Sequence, residues 1–340
     1  MLKLKEVSDA LNIDVAIVSK LERGDRKATK KQALALIEFY NLNKKEILIQ
    51  WLSERILGEI KNQEFALDAL YSAEKSMKYF SAIAHEVILN AEVLALLSKI
   101  DQLKKKWDLL SNSEQYDLSE IKEYLNLKNT FESNKMDGNS LSFKETEAVI
   151  NEGVTIAGKS MQEHLEAVNH FDSLEFLEEF VKKKETVNEN ILKEIHQLLL
   201  KGIDRKNSGK YRKDNTILSG SKYKPPQADL IDKKVEETFQ YYHEYKSNSH
   251  PIILAVEIHE KIISILPFKR ETDKTARLLM NLILMINGFP MVSIKADLKS
   301  IKSYYTALES IQLKGEPKDL QLLICNLVLG SLEDSLDRLI

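Results

Sequence analysis

Apolar residues recur at spacings of three and four along almost the whole chain, a period that fits an α-helix and little else. The stretches "EVILNAEVLALLSKIDQLKKKWDLL" (86–110) and "HLEAVNHFDSLEFLEEFVKKK" (164–184) carry it through many turns. Six prolines and eleven glycines among 340 residues give the pattern few places to break. One segment departs from it, "NTILSGSKYKPP" (215–226), with a β-branched start, a Ser-Gly-Ser turn and a Pro-Pro stop. The expected fold class is all-α with one small β-hairpin flap.

The length suits roughly two domains, at about 100–200 residues each. A hydrophobic share of 43% beside 30% charged residues describes a packed globular chain. The longest apolar runs, such as "LLICNLVL" (322–329), fall far short of the ~20 residues of a bilayer span. Lys3, Lys5, Glu6 and Asp9 interrupt any signal-peptide core, so a cytoplasmic protein without a membrane partner is expected. The one cysteine, Cys325, lies inside that apolar run and reads as a core thiol. His85, His164, His170, His196, His243, His250 and His259 show no ligand spacing, and no metal is assigned. Lys182, Lys183 and Lys184 read as a solvated helix end. With a net charge of −3, a nucleic-acid partner has to rest on a local patch.

Such a patch lies near the start. Residues 6–42 read as three short helices, with Val7, Leu11, Val15, Val18 and Leu21 on the apolar faces of the first two. A tight turn at residues 12–14 joins those two, Asp14 is placed to cap the second, and Gly24 stops it. From residue 20 to 31, Lys20, Arg23, Arg26, Lys27, Lys30 and Lys31 face only Glu22 and Asp25, a surplus of four positive charges. "SKLERGDRK" resembles the recognition-helix end of the Xre/Cro-like helix-turn-helix family. That resemblance implies DNA contact through Ser19, Lys20, Arg23, Arg26 and Lys27, and a homodimer reading two half-sites. A helical docking module without DNA binding is the alternative.

The most informative stretch is "ILPFKRETDKTARLLMN" (265–281): an apolar approach, a charged loop, then an apolar helix. That layout opens a helix N-terminus, where anions commonly sit. With its surroundings it resembles the Fic family of protein adenylyltransferases, whose motif is His-Pro-Phe-x-(Asp/Glu)-Gly-Asn-Gly-Arg-x-x-Arg-Leu-Leu. "NTFESNKMDGNSLSFKETEAVI" (129–150), "GKSMQEHLEAVNH" (158–170), "GKYRKDNTILSGS" (209–221) and "YYTALES" (304–310) extend the likeness over roughly 118–340. The resemblance implies ATP and magnesium as cofactors, a histidine base, and a flap that pairs with the target protein through Thr216, Ile217 and Leu218. It also implies an inhibitory helix at about 118–136, with Ser133, Asp137 and Gly138 at the positions of the pattern (Ser/Thr)-x-x-x-Glu-(Gly/Asn), Asp137 being one methylene shorter than its glutamate.

The reactive positions depart from the motif. Leu266 stands at the histidine position and cannot accept a proton. Arg270 stands at the metal-ligand position and would repel the ion. Glu271, Thr272 and Asp273 replace Gly-Asn-Gly, and Lys274 replaces the first arginine, while Arg277 keeps the second. Thr272 is a candidate helix cap, with Asp273 in the first turn. Asp137 and Arg277 are expected to meet as an ion pair.

The chain is thus read as a helix-turn-helix segment (1–57), connecting helices (58–117) and a Fic-like domain (118–340). The leading reading is a DNA-binding regulator whose Fic domain has lost catalysis, uses no cofactor, and serves partner binding through 215–226 or dimerisation. One alternative is a protein adenylyltransferase of altered chemistry. Another is a toxin–antitoxin or defence component that binds a protein partner.

Overall fold

The computed structural model describes residues 4–339 apart from 12, 41, 62, 68, 71–88, 112, 114, 115 and 217–220. The chain divides into two compact units, Met1–Ile88 and Leu89–Ile340.

In the first unit, α1 (Leu4–Leu11), α2 (Val15–Glu22) and α3 (Lys30–Phe39) precede a longer α4 (Lys44–Ile60). Asp14 caps α2, accepting from Ala16 N at 2.8 Å. Gly24, at φ +76°, ends it in the left-handed region that a β-carbon disfavours. Thr29 and Gln32 form a capping box at the head of α3. Trp51 Nε1 donates to Ala28 O at 2.8 Å and fastens α4 to the approach of α3. Val7, Val18, Ala33 and Ile37 form the small core, with Leu11 and Leu21 half-buried. Val15, read as core from its spacing, is exposed, because it lies in the first turn of α2, away from α1 and α3.

The second unit comprises α5 (Ala91–Ser111), α6 (Ser119–Met136), α7 (Phe143–Asn151), α8 (Met161–Lys183) and α9 (Glu189–Leu199). It continues with α10 (Ile231–Tyr245), α11 (Pro251–Ile265), α12 (Thr272–Ile286), α13 (Leu298–Lys314) and α14 (Lys318–Leu339). The hairpin of α11 and α12 is its axis: both helices are apolar on nearly every face and most of their residues are buried. α8, α9, α10 and α14 cover that axis, and α14 also lies along α5. Ser142 with Glu145 and Ser160 with Glu163 form capping boxes at α7 and α8, both visible in sequence as Ser-x-x-Glu. Cys325 is buried in this core, and burial pushes its thiol up to about 12.

The expected β-hairpin flap is not seen: no strand occurs among the described residues, and Thr216 sits in irregular backbone. Ile217 and Leu218 lie outside the described residues. The base of the segment is held by side chains in place of a ladder. Asn215 Oδ1 accepts from Ala228 N at 2.9 Å, and Arg212 Nη1 and Nη2 donate to the carbonyls of Asp214 and Pro226. No helix among the described residues is long and apolar enough to cross a membrane.

Leu279 is fully buried on the axis, whereas Leu298 is 89% exposed. Leu279→Ala is expected to cost about 2–5 kcal/mol, and Leu298→Ala within about 0.5 kcal/mol of zero. The shift of the urea midpoint measures both.

Candidate functional site

Helix α11 ends at Leu266, a non-glycine residue in the left-handed region (φ 49°, ψ 59°). Such a conformation costs on the order of 1–3 kcal/mol and persists only where the surroundings hold it. Here Arg212 holds it. Its Nε donates to Leu266 O at 2.7 Å and its Nη2 to Ile265 O at 3.4 Å, while its backbone N–H reaches Pro267 O at 2.8 Å. The guanidinium thus covers the open carbonyls of a helix C-terminus, where a cation is favoured. Burial pulls its pKa down, and its contacts are backbone oxygens in place of a carboxylate.

The loop then turns inward. Phe268 is buried, and its ring stacks on His196 of α9 with centroids 3.7 Å apart. Gly209 N donates to His196 Nδ1 at 3.0 Å, so Nε2 carries the proton and donates to Arg270 O at 3.1 Å. Burial holds this imidazole neutral, with its pKa down to about 4. Both ring nitrogens are engaged, so His196 positions the loop and offers no base to a hydroxyl from outside.

The loop closes at Glu271, the second left-handed residue (φ 57°), which is the N-cap of α12 and makes no side-chain capping bond. Thr272, read from sequence as the cap, is instead the first helical residue. Its hydroxyl is spent on Phe268, bonding N and O at 3.3 Å each. Asp273 lies in the first turn as expected and accepts from Tyr305 Oη at 3.2 Å. Burial pushes its carboxyl above the usual range, opposed by the Arg277 charge.

Two buried cations stand behind this loop. Lys274 Nζ lies 3.0 Å from Glu271 Oε2 and 3.6 Å from Asp137 Oδ2. Arg277 Nη2 lies 3.0 Å from Asp137 Oδ2, 2.9 Å from Ser133 Oγ and 3.3 Å from Ser133 O. Ser133 and Asp137 are the last turn and C-cap of α6, and Gly138 follows at φ +96°. Burial would lower the Arg277 pKa, but Asp137, with Tyr304 and Asp273, more than offsets it, and the guanidinium stays charged. His259, whose Nε2 lies 3.0 Å from Tyr304 Oη, is held neutral by burial, its pKa down to about 3 with Arg277 adding repulsion.

The structure therefore brings Leu266, Glu271, Thr272, Asp273, Lys274, Arg277, Ser133, Asp137 and Gly138 to one place. Arg270 is exposed at the loop, with only its carbonyl tied inward. Thr216 has no part in this network. Ser19, Lys20, Arg23, Arg26 and Lys27 lie in the other unit. There Lys20, Arg23, Arg26 and Lys27 are exposed, although Arg23 pairs with Asp25 at 3.3 Å and Lys27 Nζ donates to Glu54 O at 3.3 Å. Sequence reasoning missed His196, Tyr305 and the Lys274–Glu271 pair. The last had a signal, an i,i+3 spacing across a helix start.

The comparisons with known proteins agree with this frame. Residues 186–284 match the Fic/DOC family. Protein adenylyltransferase fic-1 of Caenorhabditis briggsae is 27% identical over 280 residues, 80% of this chain and 54% of that protein. Protein adenylyltransferase Fic of Nematostella vectensis is 30% identical over 203 residues, 59% of this chain and 47% of that protein. The chain thus spans about half the length of these curated relatives. In fold it resembles a Fic-domain-containing signalling protein of Bacteroides thetaiotaomicron, at TM-score 0.64 and 23% identity over 70% of this chain and 96% of that one. It also resembles residues 134–508 of Fic-1 from Caenorhabditis elegans, at TM-score 0.63 and 18% identity over 98% and 96% of the two chains. Residues 186–284 thus match a Fic domain, set in a fold like that of these solved Fic structures.

A buried histidine held neutral makes folding pH-dependent. Both His196 (about 4) and His259 (about 3) sit below the ordinary 6.5, so the unfolded state binds more protons between those values. Their contribution to stability is whole above pH 6.5 and falls as pH drops toward 4 and then 3. The slope is about 1.4 kcal/mol per pH unit for each group. His196→Gln is expected to flatten urea-unfolding stability against pH between 6 and 4, while the other buried histidines, His170 and His259, keep a slope of their own.

Proposed function

We propose that the Fic domain of this chain is a binding module that keeps the family frame without nucleotide transfer. One observation carries the reading: the buried cations of the loop, Lys274 and Arg277, already face Glu271 and Asp137. A phosphate would have to displace a carboxylate from a desolvated cation, which is strongly unfavourable. The chain's own residues fit an ATP–magnesium complex poorly for two further reasons. Arg270 stands where the motif has its magnesium ligand, and Leu266 stands where it has its histidine. At position 266 there is no proton acceptor, and His196 has none to spare.

A second reading, protein adenylyl transfer, is favoured by kinship, since the relatives above carry that activity in their names. The two are separable. The binding-module reading expects no labelled AMP on the chain or on other proteins when it is incubated with ATP and magnesium. Leu266→His alone is not expected to restore transfer, since Arg270, Glu271 and Asp273 remain. Transfer above background by the native chain establishes the second reading instead.

The partner side of the proposal has two parts. The segment 215–226 offers main chain for strand addition to a protein, a mode that needs neither ATP nor magnesium. The first unit supplies DNA contact by a homodimer through the exposed Lys20, Arg23 and Arg26 on and just beyond α2. Replacing Lys20 and Arg23 with alanine is expected to weaken DNA binding in an anisotropy titration. The salt slope should fall by about one for each phosphate that the variant no longer neutralises. Absence of DNA affinity at low salt removes this part and leaves the Fic-domain reading standing.

A further inference from the structure

Two loops meet beside Leu266, and both carry cations outside the buried cluster. The stretch "RKNSGKYRK" (205–213), which follows α9, holds five basic residues in nine and no acid. Arg212 is buried in backbone bonds, whereas Arg205, Lys206, Lys210 and Lys213 are exposed, as are Lys269 and Arg270 of the motif loop. The loops are tied to each other. Gly209 N donates to His196 Nδ1, His196 Nε2 donates to Arg270 O, and Arg212 N donates to Pro267 O. The turn that presents Arg205 and Lys206 is fixed as well: Asp204 Oδ1 accepts from Lys206 N and Asn207 N at 3.2 Å each, and Oδ2 from Asn207 Nδ2 at 2.6 Å.

None of the six exposed cations forms an ion pair among the described residues, while Lys193 and Lys201 nearby are paired with Glu189 and Asp172. Within 204–214 and 269–270 the acids are Asp204 and Asp214, which leaves the exposed cations a surplus of four charges. Asp204 is already engaged: bonds from Asn207, and more weakly the Arg270 charge, hold its carboxyl below the usual range. The face also lacks an apolar anchor. Ile203, Tyr211 and Leu266 are only half-exposed, and the Tyr211 ring is taken up by Phe268 and Lys193. Protein partners draw most of their binding energy from aromatic and apolar anchors, which this face does not offer. Arginine and lysine beside small polar residues, here Asn207 and Ser208, are instead the groups that hold phosphodiesters. We propose that this face holds the phosphate backbone of a nucleic acid duplex without reading its sequence, chiefly through Arg205, Lys206, Lys269 and Arg270. The contact does not rest on the one assigned above to the first unit.

The test is an anisotropy titration of the full chain with labelled duplexes about two helical turns long, of two unrelated sequences, as DNA and as RNA. The tighter of the two duplex types names the source of the backbone. Alanine at Arg205, Lys206, Lys269 and Arg270 together is expected to weaken binding of both sequences alike, by about ten- to a hundredfold at low salt. The salt slope is expected to fall by about 0.9 for each phosphate contact removed. Glutamine at the same four positions serves should the alanine variant not fold by circular dichroism. The effect is expected to remain in a Lys20→Ala, Arg23→Ala background, which separates this contact from that of the first unit. Alanine at Lys182, Lys183 and Lys184 removes charge from a helix end elsewhere and is expected to change affinity less than about twofold. Four outcomes overturn the proposal: no duplex binding at low salt, unchanged affinity and slope in the folded four-position variant, a loss confined to one sequence, or an equal loss in the helix-end variant. A polyglutamate peptide that binds as tightly as the duplex overturns it as well, and assigns the face to an acidic protein.

Discussion

A permanent charge buried at Arg277 governs the second unit. The residue is 5% exposed, and a desolvated guanidinium is tolerable only with an anion and several acceptors close by. Three of its contacts come from one helix end, Asp137 Oδ2, Ser133 Oγ and Ser133 O, and Tyr304 and Asp273 act on it as well. The C-terminus of α6 is thereby committed to α12, since moving it away would strand the charge. The same charge constrains its neighbours. His170 and His259 are kept neutral chiefly by burial, with Arg277 adding repulsion in both cases. A polar cluster in the middle of an apolar helical pair therefore has one workable arrangement, which is what a unique fold requires.

The loop in front of that cluster is shaped by a different arginine. Arg212 gathers five backbone carbonyls, using its own N–H for one of them: Ile265, Leu266, Pro267, Asp214 and Pro226. It joins the end of α11 to both ends of the 215–226 segment and holds Leu266 left-handed. None of these bonds involves the side chain at position 266. The backbone path that would present a histidine is therefore maintained by atoms that do not care whether a histidine is there. The same holds at Arg270, whose carbonyl is fixed by His196 while its side chain is exposed.

That separation explains what was legible in the sequence. Helix identity was readable because the apolar period runs through nearly every element, and Asp14 and Gly24 mark the two ends of α2 locally. The Asp137–Arg277 contact was readable only through a family resemblance, since 140 residues separate them. His196 was missed because its partners Gly209, Arg270 and Phe268 are distant in sequence and two of the bonds go to backbone, which leaves no residue-type signature. Thr272 looked like a cap because threonine caps well, yet the cap lies one residue earlier, at Glu271 in the left-handed region. The hairpin expectation rested on β-propensity in 215–226, of which 217–220 lie outside the described residues; its flanks are tied by the side chains of Asn215 and Arg212.

The loop 269–275 contains no glycine, and its order comes from local contacts. A Gly-Asn-Gly loop leaves backbone N–H groups open to an anion, and its flexibility is useful only while an anion arrives to order it. With Glu271 bonded to Lys274, and Thr275 N and Oγ1 both bonded to Glu271 O, the loop carries its own ordering contacts. The carboxylates of Glu271 and Asp137 occupy the electrostatic role a phosphate would have, so the helix N-terminus and both cations are neutralised from within. Glycine at 271 would remove the nearer partner of Lys274 and leave it Asp137 at 3.6 Å. Within this cluster each buried cation faces a carboxylate of the chain itself, so the fold is stable without an added ion.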